Sequence, residues 1–354
     1  MDGGKGGFAR QAPRVEVPAR EVAEDPRWLP HSYDAAGGEL VSVRVPREAQ
    51  SRLPFLWDEH FGGAFPNTSH TAAALRRLVP DGGGKPLHFV FHTAFCGSTL
   101  LMRALAAAAP IAALKEPAIL NNLTHRLERG GEAAERARLD LVLDLLARGF
   151  EGVRAVVVKP TNFATRIALP ILRARPEAKA ILLYSDLPAF LYAVARRGVG
   201  GRIWGRRLYA SYAAATPVDF GYAPGELYEQ TDLQAAALGW MLQMWHLRGV
   251  LRQSGPGRTR VLAWSDLLIR PAETLATALA FLGFEAERAG TERVAAGEVF
   301  SRHSKDPARR YGAADEEALA AAAASAYGEE VQLVVKWTAA VAAHAGLPPP
   351  DAPL

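Results

Sequence analysis

Four short, almost wholly apolar runs, separated by longer amphipathic stretches, constrain this chain more than any other feature. LHFVF at 87–91, VRAVVV at 153–158, KAILLY at 179–184 and TRVLAW at 259–264 carry too few polar positions for strands half exposed to water. Helical periodicity follows them at 99–109, 163–174, 188–197 and 271–282, the last opened by a proline suited to a first turn. A βα rhythm of this kind predicts an α/β fold with a parallel sheet flanked by helices on both faces. Residues 232–252 predict a long helix that brings Trp240, Met241, Met244 and Trp245 together on its surface. That stripe reads as core packing, although the pattern alone does not separate it from an aromatic ligand box. Further helices are expected over 316–326 and 329–345, and no motif repeats at a fixed period.

With 354 residues, 49% of them hydrophobic, the chain can bury a large core in one large or two smaller domains. The organisation expected is a flexible arm over 1–25, an N-terminal segment over 26–86 that ends in the PDGGGKP punctuation, a main domain over 87–345, and a Pro-rich flexible tail over 346–354. Lys and Arg number 41 against 37 Asp and Glu, so the formal charge is +4 and the isoelectric point about 9.2. This is a mild bias toward anionic partners, and with no long basic run interleaved with aromatics it does not predict nucleic-acid binding. The single cysteine, Cys96, excludes an intrachain disulfide and a Cys-rich metal site. No early apolar stretch follows a basic start, and the longest apolar stretch, Ala104 to Leu114, contains Pro110 and falls far short of the roughly 20 residues of a membrane span. The expectation is a cytoplasmic protein without stable membrane insertion.

The chemical argument starts at LHFVFHTAFCGSTLLMRAL, 87–105. An apolar strand enters a short turn and passes into a helix whose first N–H groups have no intrahelical acceptor, which makes an anion site. Gly97 permits close backbone approach, and Ser98 and Thr99 add hydroxyl donors; the plainer alternative is an ordinary βα turn whose Ser or Thr caps the helix. The turn is not a Walker A loop. His92 stands where the first glycine would, and Ser98 where the lysine would. The β- and γ-phosphates of ATP would then lack their usual cation, which weakens a kinase reading.

The turn FHTAFCGSTLL resembles the 5′-phosphosulfate-binding segment of the sulfotransferase family. Further pieces follow in the family's order: LKEP at 114–117, VVVKPTNFATRIALPILRARPEAKAILLYSDLP at 156–188, VLAWSDLLIRPAETLATALAFLGF at 261–284, and the basic FSRHSKDPARRY at 300–311. Together they cover most of 87–311. The resemblance implies a P-loop-like sulfotransferase architecture. It implies transfer of a sulfuryl group from 3′-phosphoadenosine 5′-phosphosulfate (PAPS) to a hydroxyl or amine of a small molecule or glycan, with no metal required. It places Phe95, Cys96, Gly97, Ser98 and Thr99 around the phosphosulfate, with Lys159 as a strand-end donor contact. Glu116 would be the acceptor-activating base, and the late basic loop, Arg302 and Lys305 foremost, would close over the nucleotide.

Three positions depart from the family pattern. Phe95 stands where a cation is usual, Ser185 in YSDLP where an arginine takes the 3′-phosphate, and Ala193 where a serine does. Replacement cations are expected from Arg302, His303, Lys305, Arg309 and Arg310, with Arg196 and Arg197 as the other source. From the residues alone, Lys159 is either a ligand contact or a solvated strand-end charge, Glu116 either a base or a helix cap, and His92 either an alternative base or a structural donor. Lys115 and Arg103 are further cations that can as well serve surface pairs. Cys96 reads as a small packed side chain. The rival functions are a catalytically weak nucleotide-binding or scaffold protein of the same fold, and a small-molecule kinase using ATP. The acceptor pocket would draw on 1–80, 121–150 and 198–230, where the aromatic RIWGRRLYASY permits a hydrophobic acceptor or simply packs.

Overall fold

In the computed structural model the described residues are 12–34, 38–128, 133–223, 226–302 and 312–354. Among the described residues, eight strands form two sheets: β1 (Trp28–Tyr33), β2 (Glu39–Arg44) and β3 (Asn67–Thr71) in one, and β4 (Leu87–His92), β5 (Ile111–Lys115), β6 (Ala155–Lys159), β7 (Ala180–Tyr184) and β8 (Thr259–Ala263) in the other. The second sheet has the order β5-β6-β4-β7-β8, and every pair in it is parallel. The chain is therefore α/β, with a parallel sheet flanked by helices.

The apolar strand runs are explained by burial on both faces. Phe89, Phe91, Val156, Val158 and Leu182 point into one core, whereas Val90, Val157, Ile181 and Leu183 point into another. Each such side chain removed from water contributes on the order of 1.5–3 kcal/mol, so a strand with two buried faces gains from apolar residues at every position. The second core is closed by the helices Ser98–Ala108 and Pro271–Leu282, and a third packs around the helix Asp232–Gln253. Trp240, Met241 and Met244 are buried there, as core packing requires.

Strand β5 was not legible. Its sequence, IAALK, has little β-propensity, and it hides within the apolar stretch that Pro110 interrupts. Nor was the antiparallel β1-β2-β3 sheet, whose core merges with that of the parallel sheet through Val22, Trp28 and Leu40. Arg148, partly buried and donating to the backbone carbonyls of Val22, Asp25 and Trp28, ties the two together. The described part of the expected N-terminal arm is packed: Val15 N donates to Asn67 O at 2.9 Å, and the helix Ala19–Glu24 buries Val22 completely. A segment this short has too few apolar positions to show a period. The C-terminal tail also packs, with Arg248 donating to Ala352 O at 3.0 Å and Leu354 lying against the core. The two helices expected over 316–326 and 329–345 are one, Ala313–His344. Among the described residues no helix is long and apolar enough to cross a membrane.

The connections from β4 and β6 set the site. The chain leaving β4 passes β6 to reach the edge strand β5, and the chain leaving β6 passes β4 to reach β7. At such a reversal the loops diverge and leave a crevice beyond the C-terminal strand ends, where open α/β sheets bind ligands.

Candidate functional site

A cleft of about 480 Å³ lies at those strand ends. Its floor is the turn 93–97 between β4 and the helix Ser98–Ala108. Two residues of this turn adopt left-handed backbone, Phe95 with φ 56° and Gly97 with φ 72°. For glycine this is free, whereas for phenylalanine it is uncommon and strained, which is a mark of functional turns. Gly97 is needed for a second reason: a Cβ there would fall 1.9 Å from Cζ3 of Trp264, whose ring lies against the turn. Ser98 and Thr99, both buried, line the cleft at the helix start.

The turn is held from beneath. Thr93 N donates to Leu183 O at 3.1 Å, Thr93 Oγ1 accepts from Ser185 N at 3.1 Å, and Ala94 N donates to Oε1 of the buried Gln243 at 3.0 Å. Gln243, on the 22-residue helix, went unnoticed in the sequence because one polar position in an apolar helix does not announce a long-range partner. Gln243→Leu is expected to leave the buried Ala94 N–H without an acceptor and to cost about 1–3 kcal/mol in urea denaturation. Stability equal to that of the parent would mean that this amide is satisfied elsewhere.

Ser185, at the position where the resemblance calls for an arginine, is part of this scaffold. It is buried, and its carbonyl accepts from Trp240 Nε1 at 3.0 Å. Ala193 is likewise buried. Cys96 contributes backbone to the cleft while its Sγ donates to Thr93 O at 2.9 Å; burial pushes the thiol up to about 11, so it stays protonated and unreactive at neutral pH.

Glu116 and Lys159 are brought together. They form a buried ion pair in which the lysine is fully enclosed and its ammonium also lies 5.1 Å from the centre of the Phe55 ring. Glu116 has left-handed backbone, φ 54°, and its N–H donates to Lys159 O at 2.6 Å, so the bend after β5 turns the carboxylate to the cleft wall. Glu116 lines the cleft and Lys159 does not. This differs from a lysine reaching the donor from an exposed strand end: parallel pairing of Lys115 with Lys159 places the β6 terminus inside the protein. His92 also lines the cleft, yet Nδ1 faces Thr93 O at 2.7 Å and Nε2 faces Pro160 O at 3.0 Å. Both ring nitrogens are thus engaged by backbone carbonyls, which suits a structural role better than proton abstraction.

Arginines complete the wall. The Arg197 guanidinium stands 4.0 Å over the centre of the Phe95 ring, and Phe95 also packs on Trp204 at 4.7 Å between ring centres. Desolvation by the surrounding walls, with the neighbouring Arg196 charge, pushes Arg197 down to about 10, which leaves it cationic at neutral pH. Arg207 lines the same cleft, and Arg196 does so while paired with Glu316 at 3.2 Å. Phe55, Trp57, Phe163 and Trp204 supply aromatic surface. The segment RIWGRRLYASY therefore does meet the cleft, through Trp204 and Arg207.

Arg302 is elsewhere. It lies across Trp264 in an adjoining cavity of about 330 Å³ and pairs with Glu298 at 2.8 Å. Lys305, His303, Arg309 and Arg310 lie outside the described residues. Of the two sources of replacement cations, the structure places Arg196 and Arg197 in the main cleft. Among the described residues no group of three or more His, Cys, Asp or Glu is arranged to hold a metal.

No protein-family model matches this chain, and no curated protein does. Solved structures are similar in part. A sulfotransferase from Alicyclobacillus acidocaldarius is 18% identical over 58% of this chain and 86% of its own, with a TM-score of 0.37. The sulfotransferase domain from the curacin biosynthetic pathway is 14% identical over 75% and 99%, with a TM-score of 0.41. The sulfotransferase domain from the Synechococcus PCC 7002 olefin synthase is 13% identical over 69% and 96%, with a TM-score of 0.37. At these identities and TM-scores the likeness assigns neither substrate nor reaction, which are argued from the cleft.

Proposed function

We propose that this protein is a sulfotransferase whose donor, PAPS, places its 5′-phosphosulfate on the turn 95–99, and whose acceptor is a hydroxyl or amine of a small molecule or glycan. The observation that carries the reading is the relocated cation: Arg197, cationic and stacked on Phe95, stands over the turn where the sequence lacks a charge of its own. The residues fit an anionic donor. The start of the helix at Ser98 and Thr99 lines one concave surface with Arg197 and Arg207, and the carboxylates of Glu116 and Glu316, which line it too, each carry a cationic partner.

PAPS supplies an activated sulfuryl group. In the transfer, the acceptor oxygen or nitrogen forms a bond to sulfur, the bond from sulfur to the bridging phosphate oxygen breaks, and adenosine 3′,5′-bisphosphate leaves. Ser98, Thr99 and the helix N–H groups stabilise the equatorial oxygens, and Arg197 stabilises charge on the leaving group. Glu116, fixed by Lys159, takes the acceptor proton. Lys159 is accordingly a positioning residue. The aromatic surface of Phe55, Trp57, Phe163 and Trp204 favours an acceptor with an apolar body.

A titration panel of adenosine 3′,5′-bisphosphate, ATP and NAD tests this reading before any acceptor is known. The bisphosphate should bind most tightly, and Arg197→Ala should weaken it about tenfold or more, as expected for loss of one ionic hydrogen bond. Absence of preference for the 3′-phosphorylated ligand would sink the donor assignment. Preference without PAPS turnover across acceptor classes would favour a binding protein of the same fold, and Glu116→Gln that turns over a verified acceptor at the parental rate would move the base elsewhere.

A further inference from the structure

The long helix Ala313–His344 turns toward water a face that solvation alone does not explain. From 318 to 343 its exposed positions are alanines apart from Leu319, Ser325, Glu329, Gln332, Leu333 and Lys336, so the face carries only two charges. A helix side that meets water along such a length normally carries polar and charged residues throughout. Here Leu333 stands 61% exposed in the middle of the face. On the helix Gly198–Ala213, Arg202 donates to both carboxylate oxygens of Glu330, at 2.9 and 2.8 Å. Val199 and Ile203, 74% and 47% exposed, and Leu333 each lie within one turn of this pair, so exposed apolar side chains concentrate around it. Such a concentration beside charged residues marks an interaction surface.

Glu329 and Lys336 say what covers it. They are two helical turns apart and therefore share the outer face, with Leu333 between them. Arg202 engages Glu330 and not Glu329, and neither Glu329 nor Lys336 has an ion-pair partner among the described residues. We infer that this face docks on the same face of a second copy of the chain, the two helices running antiparallel about a two-fold axis beside Leu333. That register sets Glu329 of each copy opposite Lys336 of the other, so the surface is complementary in charge to itself, as an isologous contact requires. A parallel pairing would set glutamate against glutamate and lysine against lysine, so the charges select the antiparallel one.

The remaining positions suit the same register. Ala326 falls opposite Ala339 and Ala322 opposite Ala343, which lets the backbones approach closely over about 33 Å of helix. The two Leu333 side chains, each in water in a single copy, cover one another at the axis. A row of alanines has no address of its own; the leucine and the two charges supply one. None of these residues lines the cleft, and the pairing is independent of the proposed sulfuryl transfer.

Sedimentation equilibrium of the full chain tests the contact. The mass should rise with concentration from 38.1 kDa toward twice that value. Leu333→Asp should weaken association about tenfold or more. Glu329→Lys and Lys336→Glu should each do the same, because a single reversal puts like charges opposite one another at two symmetry-related places. The double variant Glu329→Lys/Lys336→Glu should recover parental association, and an equimolar mixture of the two single variants should form the heterodimer. All three side chains are exposed, so circular dichroism and the urea midpoint of each variant should match the parent. A mass of 38.1 kDa at every concentration, a dimer indifferent to Leu333→Asp, or a double variant no better associated than the single ones would overturn the inference. A monomeric parent that co-sediments with phosphatidylglycerol vesicles, and no longer does so as Leu333→Asp, would give the face to a lipid surface instead.

Discussion

Lys159→Ala should destabilise the protein by about 3–5 kcal/mol, the usual penalty for removing one partner of a buried ion pair. Lys159 is fully enclosed and Glu116 nearly so, and the truncation strands the carboxylate inside the protein with the Phe55 ring in place of a cation. A loss of this size consumes a large part of the 5–15 kcal/mol typical of a folded domain. Combining Lys159→Met with Glu116→Gln removes both charges and should cost less than Lys159→Ala alone. Urea denaturation of the parent, both single variants and the double variant gives the coupling. Parental stability in Lys159→Ala would contradict a buried pair and restore the lysine to a solvent-facing role.

Gly97→Ala should combine two penalties at one atom. The left-handed backbone disfavours any Cβ by roughly 1–2 kcal/mol, and the added methyl would sit 1.9 Å from the Trp264 ring, an overpacking of the kind that costs about 1–3 kcal/mol. Either the turn or the ring must move, and both line the cleft, so anion binding should fall with stability. Trp264→Ala in the Gly97→Ala background relieves the contact and leaves the backbone strain, so it should recover part of the stability. Binding of adenosine 3′,5′-bisphosphate by Gly97→Ala at parental affinity would show that the turn tolerates the displacement and that the close approach of Trp264 is incidental.

These two residues also mark the limits of reading the sequence. Gly97 was legible because a glycine between an apolar strand and a helix is a local feature, and its conformational demand is set by its own backbone. Lys159 was legible as a residue but not in its environment: its place at the end of VVVK suits both solvent and interior, and only the pairing of β6 beside β5 enclosed it. His92 shows the same gap, since the carbonyl that engages Nε2 belongs to Pro160, 68 residues along the chain.

The sequence by itself determined the α/β class, four of the five parallel strands, a helix after each of those four and the glycine-containing turn between the first of them and its helix. Each of these follows from a period or a backbone constraint carried by neighbouring residues. Tertiary structure alone decided the edge strand β5, the N-terminal antiparallel sheet, the enclosure of Lys159 with Glu116, and the cation of the cleft. Arg197 lies 102 positions after Phe95 in sequence, and nothing local relates the two; they meet because β7 pairs beside β4 and the helix after β7 ends over the turn. Charge partners of this kind are fixed by distance in space, which strand order sets and sequence separation does not.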